Sequence, residues 1–377
     1  MNILINLSTL KKGGGQNVAL NFLSSFFHNY PKEDNFHFFI AKKSDIHSFF
    51  LKNGYNNFTL LPHNPIKRIL FELFISRYIL KKLNIDLIYS YFGFGLFPKK
   101  YIQVSGSVDS NLYYPEINFW EGYKGINLLI RKLIDKYRIY GLKRCNALIF
   151  ENRDLEIRFK QLYDKNKPTI TILPSINVNC DKKEIQIEKE LNNIKKGLFL
   201  CGWQLNKNIM MIPEIASLFK KNNVRFHFLL TAPKDNSHIH RKFLLLCQKY
   251  KVEEEITIMG TIKKEELESL YRQVDFVFLL SKLESFSNNI IEAYTFKKPL
   301  IVSNETWAKQ LCGKAAIYVE RNDPKDIFNK INKLINDTDS YDKYINLGSQ
   351  QLKKFPMIEE KINQEFNFLK YVYKEYN

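Results

Sequence analysis

Two carboxylates and one ammonium in the rear half of the 377-residue chain have the type and spacing for chemistry on a charged, hydroxylated ligand. Glu284 and Glu292 stand with seven residues between them in Ser281-Lys282-Leu283-Glu284-Ser285-Phe286-Ser287-Asn288-Asn289-Ile290-Ile291-Glu292-Ala293. The run follows an apolar strand, Phe276–Leu280, and opens a helix with Ser287 or Asn288 in the N-cap place. This puts Glu284 in the loop at the strand's C-terminal end and Glu292 in the early turns of the helix. Carboxylates there can hold the hydroxyls of a sugar and a ribose, beside helix N–H groups that receive anions. The competing reading is a solvent-facing Glu and a second Glu complementing the helix dipole. Lys207 follows another strand and a glycine, in Leu200-Cys201-Gly202-Trp203-Gln204-Leu205-Asn206-Lys207-Asn208. A point charge there can offset a developing diphosphate; an ordinary exposed loop lysine is the alternative.

Two weaker constellations lie in the front half. Gly13-Gly14-Gly15 follows the first strand, and such a run lets backbone N–H groups approach an anion or sugar closely, or simply makes a flexible turn. Asp109, in Ser105-Gly106-Ser107-Val108-Asp109 after the strand at 101–104, is a candidate for acceptor activation or sugar binding, against a helix-capping role. Asp337-Thr338-Asp339 spells D-x-D but falls between helical segments, away from any strand end, and reads as a capped turn. The seven His show no metal-ligand spacing, and His238 and His240 sit in a polar stretch read as surface loop. The five Cys form no C-x-x-C pair, so no metal site or disulfide framework is expected.

The elements that must position these residues alternate between apolar strands and amphipathic helices. Strands are expected at Asn2–Leu7, Phe36–Ala41, Phe58–Leu61, Leu87–Ser90, Tyr101–Val104, Ala147–Phe150 and Ile170–Leu173. A second series is expected at Leu198–Cys201, Phe226–Thr231, Ile256–Met259, Phe276–Leu280, Leu300–Val302 and Ala316–Val319. The alternation implies α/β architecture with parallel sheets covered on both faces. A polar stretch at 179–197 reads as a linker. The expected organisation is therefore a front domain at 1–178, a rear domain at 198–355, and a closing amphipathic helix within 356–377 that packs back on the front domain.

The ordered set of motifs in the rear half resembles retaining glycosyltransferases of family 4. Glu284 to Glu292 is similar to that family's E-x7-E region. Upstream, Gly260-Thr261 with Glu265, Leu267 and Tyr271 is followed by Val274-Asp275-Phe276-Val277-Phe278-Leu279-Leu280-Ser281, similar to the family's "A-D-x-x-x-x-P-S" strand. Downstream, Lys298-Pro299-Leu300-Ile301-Val302-Ser303 and Cys312-Gly313-Lys314-Ala315-Ala316-Ile317-Tyr318 stand where that family has G-x-P-V-I-x-S and C-G-D-A-A-x-Y. The resemblance implies the GT-B fold, two doubly wound Rossmann-like domains facing across a cleft. It implies that Glu292 binds the nucleotide's ribose, that Glu284 sits by the donor sugar, and that backbone around Phe286, Ser287, Asn288 and Asn289 meets sugar and diphosphate. Lys207 and Gly202 match the family's phosphate site, with Trp203 where Arg is usual, and Gly14 and Gly15 match its glycine loop. It further implies a UDP- or GDP-sugar as donor substrate, no metal and no other cofactor, and a glycan acceptor, lipid-linked by analogy with bacterial O-antigen and capsule enzymes. A GT-B nucleotide-sugar epimerase or hydrolase is the alternative activity.

Charge and hydropathy bound the partners. The net charge is +18, with +12 of it in residues 1–178, a field that attracts phosphates, anionic lipid or nucleic acid. No nucleic-acid-binding module is recognisable, which argues against that third partner. No apolar run reaches the length of a spanning helix, and the first residues lack the charge order of a secretory signal. The expected place is the cytoplasm, with a peripheral position on the inner face of the cytoplasmic membrane as an option. Two basic amphipathic runs, Ile66–Leu83 and Trp120–Arg144, would serve such a position or else face the core with a solvated charged side.

Overall fold

The computed structural model describes residues 1–11, 13–29, 34–95, 97–176, 183–185, 187, 191 and 193–377. The chain divides into two compact units, Met1–Asn177 with Pro356–Asn377, and Val178–Phe355. In the first unit seven strands, β1 (Asn2–Asn6), β2 (Asn35–Ala41), β3 (Phe58–Leu61), β4 (Leu87–Ser90), β5 (Ile102–Ser107), β6 (Ala147–Phe150) and β7 (Thr169–Thr171), form one sheet in the order β3-β2-β1-β4-β5-β6-β7. Every pairing is parallel. Alternate residues of β1 serve opposite faces. Ile3 and Ile5 join a core with Phe22, Phe26 and Phe38, whereas Leu4 joins Phe39, Leu80 and Ile88 on the other side. A sheet covered twice needs such uninterrupted apolar strands.

Helices α1 (Gly13–Asn29), α2 (Asp45–Lys52), α3 (Pro65–Leu70), α4 (Ser76–Lys82), α5 (Gly125–Arg144) and α6 (Arg153–Leu162) cover the sheet's connections. The glycine run is not a separate turn before α1: Gly13 takes φ 70°, and Gly14 and Gly15 lie in the first helical turn. The amphipathic run from Ile66 is interrupted by a π-turn at Phe71–Ile75, so that Phe71, Glu72, Ser76 and Leu80 are the buried positions. Between β4 and β5 the described residues form no helix. A Cβ on Gly106 would stand 1.9 Å from the Tyr91 carbonyl oxygen, so only glycine lets that connection lie against β5.

The second unit holds six parallel strands, β8 (Lys195–Phe199), β9 (Phe226–Leu230), β10 (Ile256–Ile258), β11 (Phe276–Leu279), β12 (Leu300–Ser303) and β13 (Ala316–Val319), ordered β10-β9-β8-β11-β12-β13. β8 starts at Lys195, ahead of the expected Leu198. Lys196 is buried, and its ammonium donates to the Leu191 and Ile194 carbonyls at 2.9 and 3.0 Å, so a charged residue occupies a strand position. Residues 179–182, with Cys180 among them, 186, 188–190 and 192 of the expected linker lie outside the described residues, as do 177 and 178 just before it. The helices are α7 (Ile212–Lys221), α8 (His238–Tyr250), α9 (Leu267–Arg272), α10 (Asn288–Thr295), α11 (Thr306–Cys312), α12 (Pro324–Ile335) and α13 (Thr338–Leu352). His238 and His240 belong to the first turn of α8, capped by Ser237, rather than to a loop. Asp337 caps α13, its carboxylate accepting from the Ser340 backbone N–H.

The last helix, α14 (Ile358–Tyr376), returns to the first unit. Ile362, Phe366, Leu369 and Val372 enter the core beside Phe26 and Phe38, each contributing about 1.5–3 kcal/mol relative to exposure. The same face carries buried charge: the Lys361 ammonium lies 2.7 Å from Glu151 and 3.8 Å from Glu365.

Candidate functional site

Both sheets reverse their direction of growth beside their first strand, between β1 and β4 and between β8 and β11. Ligands of doubly wound sheets gather outside the strands' C-terminal ends at such a switch point. In the second unit Lys207 follows β8 and Glu284 follows β11, so the strand order alone makes these loops neighbours.

The side chains then meet. Beyond β8, Leu205–Lys207 forms one 3₁₀ turn, and Asn208 reverses the chain at φ 58°. Lys207 therefore ends a short turn. Its ammonium donates to Glu284 at 2.5 Å, with 18% and 13% of the two side chains exposed. Asn206 braces the pair. Its backbone carbonyl accepts from the Lys282 N–H, its side-chain amide donates to the Leu283 carbonyl at 2.8 Å, and its side-chain oxygen accepts from the Leu283 N–H at 3.2 Å. Asn289 adds a third tie: this buried residue at the start of α10 donates to the Leu200 carbonyl at 3.2 Å.

The remaining rear residues fall around this junction. Gly202 lies between β8 and Lys207, and a Cβ built on it would meet nothing within 4 Å. Ser287 occupies the N-cap position of α10 with extended backbone but makes no side-chain cap bond. Asn288 is exposed, and Phe286 is half-buried with its ring 5.9 Å from that of Phe355. Glu292 sits one turn into α10, on the side shared with Asn288 and Asn289. Its carboxylate accepts from the Tyr271 hydroxyl at 2.7 Å, and burial raises its pKa, opposed by that hydrogen bond and by Lys264. Trp203 packs: its ring stacks on His240 at 4.6 Å, and its indole N–H donates to the Pro233 carbonyl at 2.6 Å.

In the first unit, Asp109 follows β5, 3.4 Å from the Arg138 guanidinium, with about a third of its side chain exposed. Burial of the carboxyl raises its pKa; Arg138 opposes this, and Asp135 adds to it. It occupies the N-cap position of a short 3₁₀ turn without making a side-chain cap bond. A Cβ on Gly14 would be unopposed, while one on Gly15 would come within 3.2 Å of Leu10. Among the described residues no group of three or more His, Cys, Asp or Glu could hold a metal ion, and no helix is long and apolar enough to cross a membrane. Sequence spacing did not reveal Asn206, because an asparagine in a polar loop resembles any other until its partners are known.

This arrangement can bind an anion on Lys207 and hydroxyls on Glu284 and Glu292. Residues 183–351 match the family model of glycosyl transferases group 1. That span contains Gly202, Lys207, Glu284, Phe286 to Asn289 and Glu292. No curated protein matches the sequence. Among solved structures, sucrose-phosphate synthase from Thermosynechococcus elongatus aligns with TM-score 0.75 and 15% identity over 100% of both chains. HepE from Anabaena, in complex with UDP-glucose, aligns with TM-score 0.71 and 13% identity over 98% of this chain and 99% of that one. The lipopolysaccharide outer core galactosyltransferase WaaB aligns with TM-score 0.65 and 11% identity over 96% and 98%. The fold is GT-B, with a Rossmann-like sheet in each unit, and the group 1 match supports a glycosyltransferase.

Proposed function

We propose that the protein is a retaining glycosyltransferase that moves a hexose-type sugar from a UDP- or GDP-sugar to a hydroxyl of a glycan acceptor. The observation that carries this reading is the Lys207–Glu284 pair at the switch point of the second sheet. The bond from the anomeric carbon to the diphosphate breaks. Lys207, together with the free N–H groups at the start of α10, meets the departing charge. Glu284 stabilises the positive charge that develops on the sugar ring, and Glu292 holds the ribose. The acceptor oxygen attacks on the face the diphosphate leaves, and its proton passes to the departing phosphate oxygen. Asp109 is our candidate for orienting and activating the acceptor: its carboxylate accepts the acceptor hydroxyl's hydrogen bond and polarises it until the proton passes to the phosphate. Gly14 and Gly15 are the front-unit candidates for contact with the donor.

Retention and the hexose follow the resemblance of the motif set. A lipid-linked acceptor, and with it lipopolysaccharide O-antigen or capsule assembly at the inner face of the cytoplasmic membrane, is supported by the strongly basic first unit and by fold analogy. A thermal-shift screen of UDP- and GDP-sugars tests the donor. A ligand at 100 times its dissociation constant stabilises by about 2.7 kcal/mol. The anomeric configuration of the product, read by proton NMR, then tests retention. A chain that no nucleotide sugar stabilises does not have this function. Donor breakdown with no product formed on any acceptor hydroxyl would assign the epimerase or hydrolase activity instead.

A further inference from the structure

Of the 21 large hydrophobic side chains exposed among the described residues, 12 fall between Ile66 and Tyr140. Eleven of these belong to two helical runs, and Tyr123 lies just ahead of the second. On the α3–π–α4 run, Ile66, Leu70, Phe74, Ile75 and Tyr78 are 50–71% exposed. On α5, Ile126, Leu129, Ile130 and Leu133 are 47–66% exposed, and of its 20 residues only Gly141 and Leu142 are buried. A helix about 30 Å long that is apolar on its outer side and has buried residues only near its end leaves that side to be covered by something. The runs are neighbours: the Tyr137 ring of α5 lies 5.1 Å from that of Phe94, tilted by 58°, and beside Arg68 and Glu72 of the first run.

The charge around these side chains has one sign. Residues 65–83 and 125–144 hold eleven Lys and Arg against two carboxylates. Both carboxylates are engaged within the fold, Glu72 by Arg68 and Asp135 by the Trp120 indole and Arg138. Along one face of α5, Leu129 and Leu133 are followed by Lys136, Tyr140 and Lys143 at helical spacing. Lys136, Tyr140 and Lys143 line an open cavity of about 620 Å³ with Lys99 and Arg144, and among the described residues no carboxylate lines it. The Arg144 guanidinium is held there by the Tyr140 hydroxyl and the Phe97 carbonyl, both at 3.1 Å.

The geometry points to a lipid-docking face made of α3, the π-turn, α4 and α5: the exposed Leu, Ile and Phe enter the headgroup region of an anionic bilayer while Lys99, Lys136, Lys143 and Arg144 take lipid phosphate in the cavity. Apolar anchors next to a polybasic strip are what such a surface requires. A second copy on the same face would set like charges against each other across a two-fold axis. Nucleic acid would use the cations but leave the aliphatic side chains exposed. The inference stands apart from sugar transfer, because lipid binding needs no donor.

Flotation of the full chain with phosphatidylcholine vesicles, and with the same lipid mixed with phosphatidylglycerol, tests the proposal. The protein rises with the anionic vesicles and stays behind with the neutral ones. Lys136→Gln/Lys143→Gln weakens partitioning about 30-fold, from about 1 kcal/mol per cation near an anionic surface. Leu129→Gln/Leu133→Gln weakens it on the order of ten-fold or more. All four side chains are exposed, so both variants keep the parent's unfolding temperature. Equal flotation with both lipids, flotation with neither, or variants that float like the parent overturns the proposal. So does a dimer in sedimentation that Leu129→Gln dissolves, or an oligonucleotide complex that only the lysine variant loses. Nucleotide-sugar binding is measured on the same samples. A chain that floats without binding a donor loses the transferase reading alone, and one that binds a donor without floating loses the lipid face alone.

Discussion

Replacing Lys207 by alanine separates two roles that one side chain holds. The first is structural. With 18% and 13% of the Lys207 and Glu284 side chains exposed, the pair lies between an exposed bridge, worth about 0–1 kcal/mol, and a buried one, whose disruption costs about 3–5 kcal/mol. Lys207→Ala leaves Glu284 without its cation, and we expect a loss of about 2 kcal/mol. For a unit of this size that lowers the unfolding temperature by about 4–8 °C. Most of this returns in Lys207→Ala/Glu284→Gln, because no lone carboxylate remains. The second role is catalytic. Removing a donor aimed at developing negative charge costs about 10²–10³ in kcat, and Glu284→Gln cannot restore a missing positive charge. Circular dichroism melts follow the first role, and release of nucleoside diphosphate from a nucleotide sugar follows the second. If Lys207→Ala turns over like the parent, or if the double variant recovers activity together with stability, the pair is only a brace between two loops and the proposed chemistry fails.

Glu292→Gln keeps an acceptor for the Tyr271 hydroxyl, so the unfolding temperature should barely move, while nucleoside diphosphate binding weakens about ten-fold or more through loss of a charged hydrogen bond; unchanged affinity in calorimetry removes Glu292 from the site. In the first unit, burial raises the Glu365 pKa to about 7 from 4.5, opposed by Lys361 and reinforced by Glu151. A carboxyl raised on folding stabilises fully below its unfolded value and loses that contribution as pH climbs through about 7, so the first unit should weaken between pH 5 and pH 8 by up to about 3 kcal/mol. Glu365→Gln should flatten this dependence, and melts at several pH values with the same slope in parent and variant would refute it.

The fold was readable because its strands are buried on both faces. Such strands must be continuous apolar runs, and the runs at 36–41, 87–90, 226–231 and 276–280 each correspond to a strand. Misreadings came where a local signal was answered by a distant partner. Lys196 hid the start of β8 because carbonyls of the preceding turn satisfy its charge. The polar stretch at His238 passed for a loop although Ser237 caps a helix there and Trp203, far away in sequence, stacks on His240. Three glycines read as a turn because glycine is a poor helix former, yet after Gly13 the chain already follows helical geometry.

For the site, sequence supplied the residue types and their strand-end positions but not their meeting. Lys207 and Glu284 are 77 positions apart, and they become neighbours only because the strand order places β8 beside β11. Had β9 stood between those strands, the same residues at the same strand ends would face different loops, and neither spacing nor composition would have registered the difference. Asn206 carries this point furthest. It ties the backbone of one loop to the other through three hydrogen bonds, and so fixes the distance over which the adjacent Lys207 must reach. A side chain whose whole role is to join two loops has no signature in either loop's sequence, which is why the residue that positions the charge pair was the one the motifs did not name.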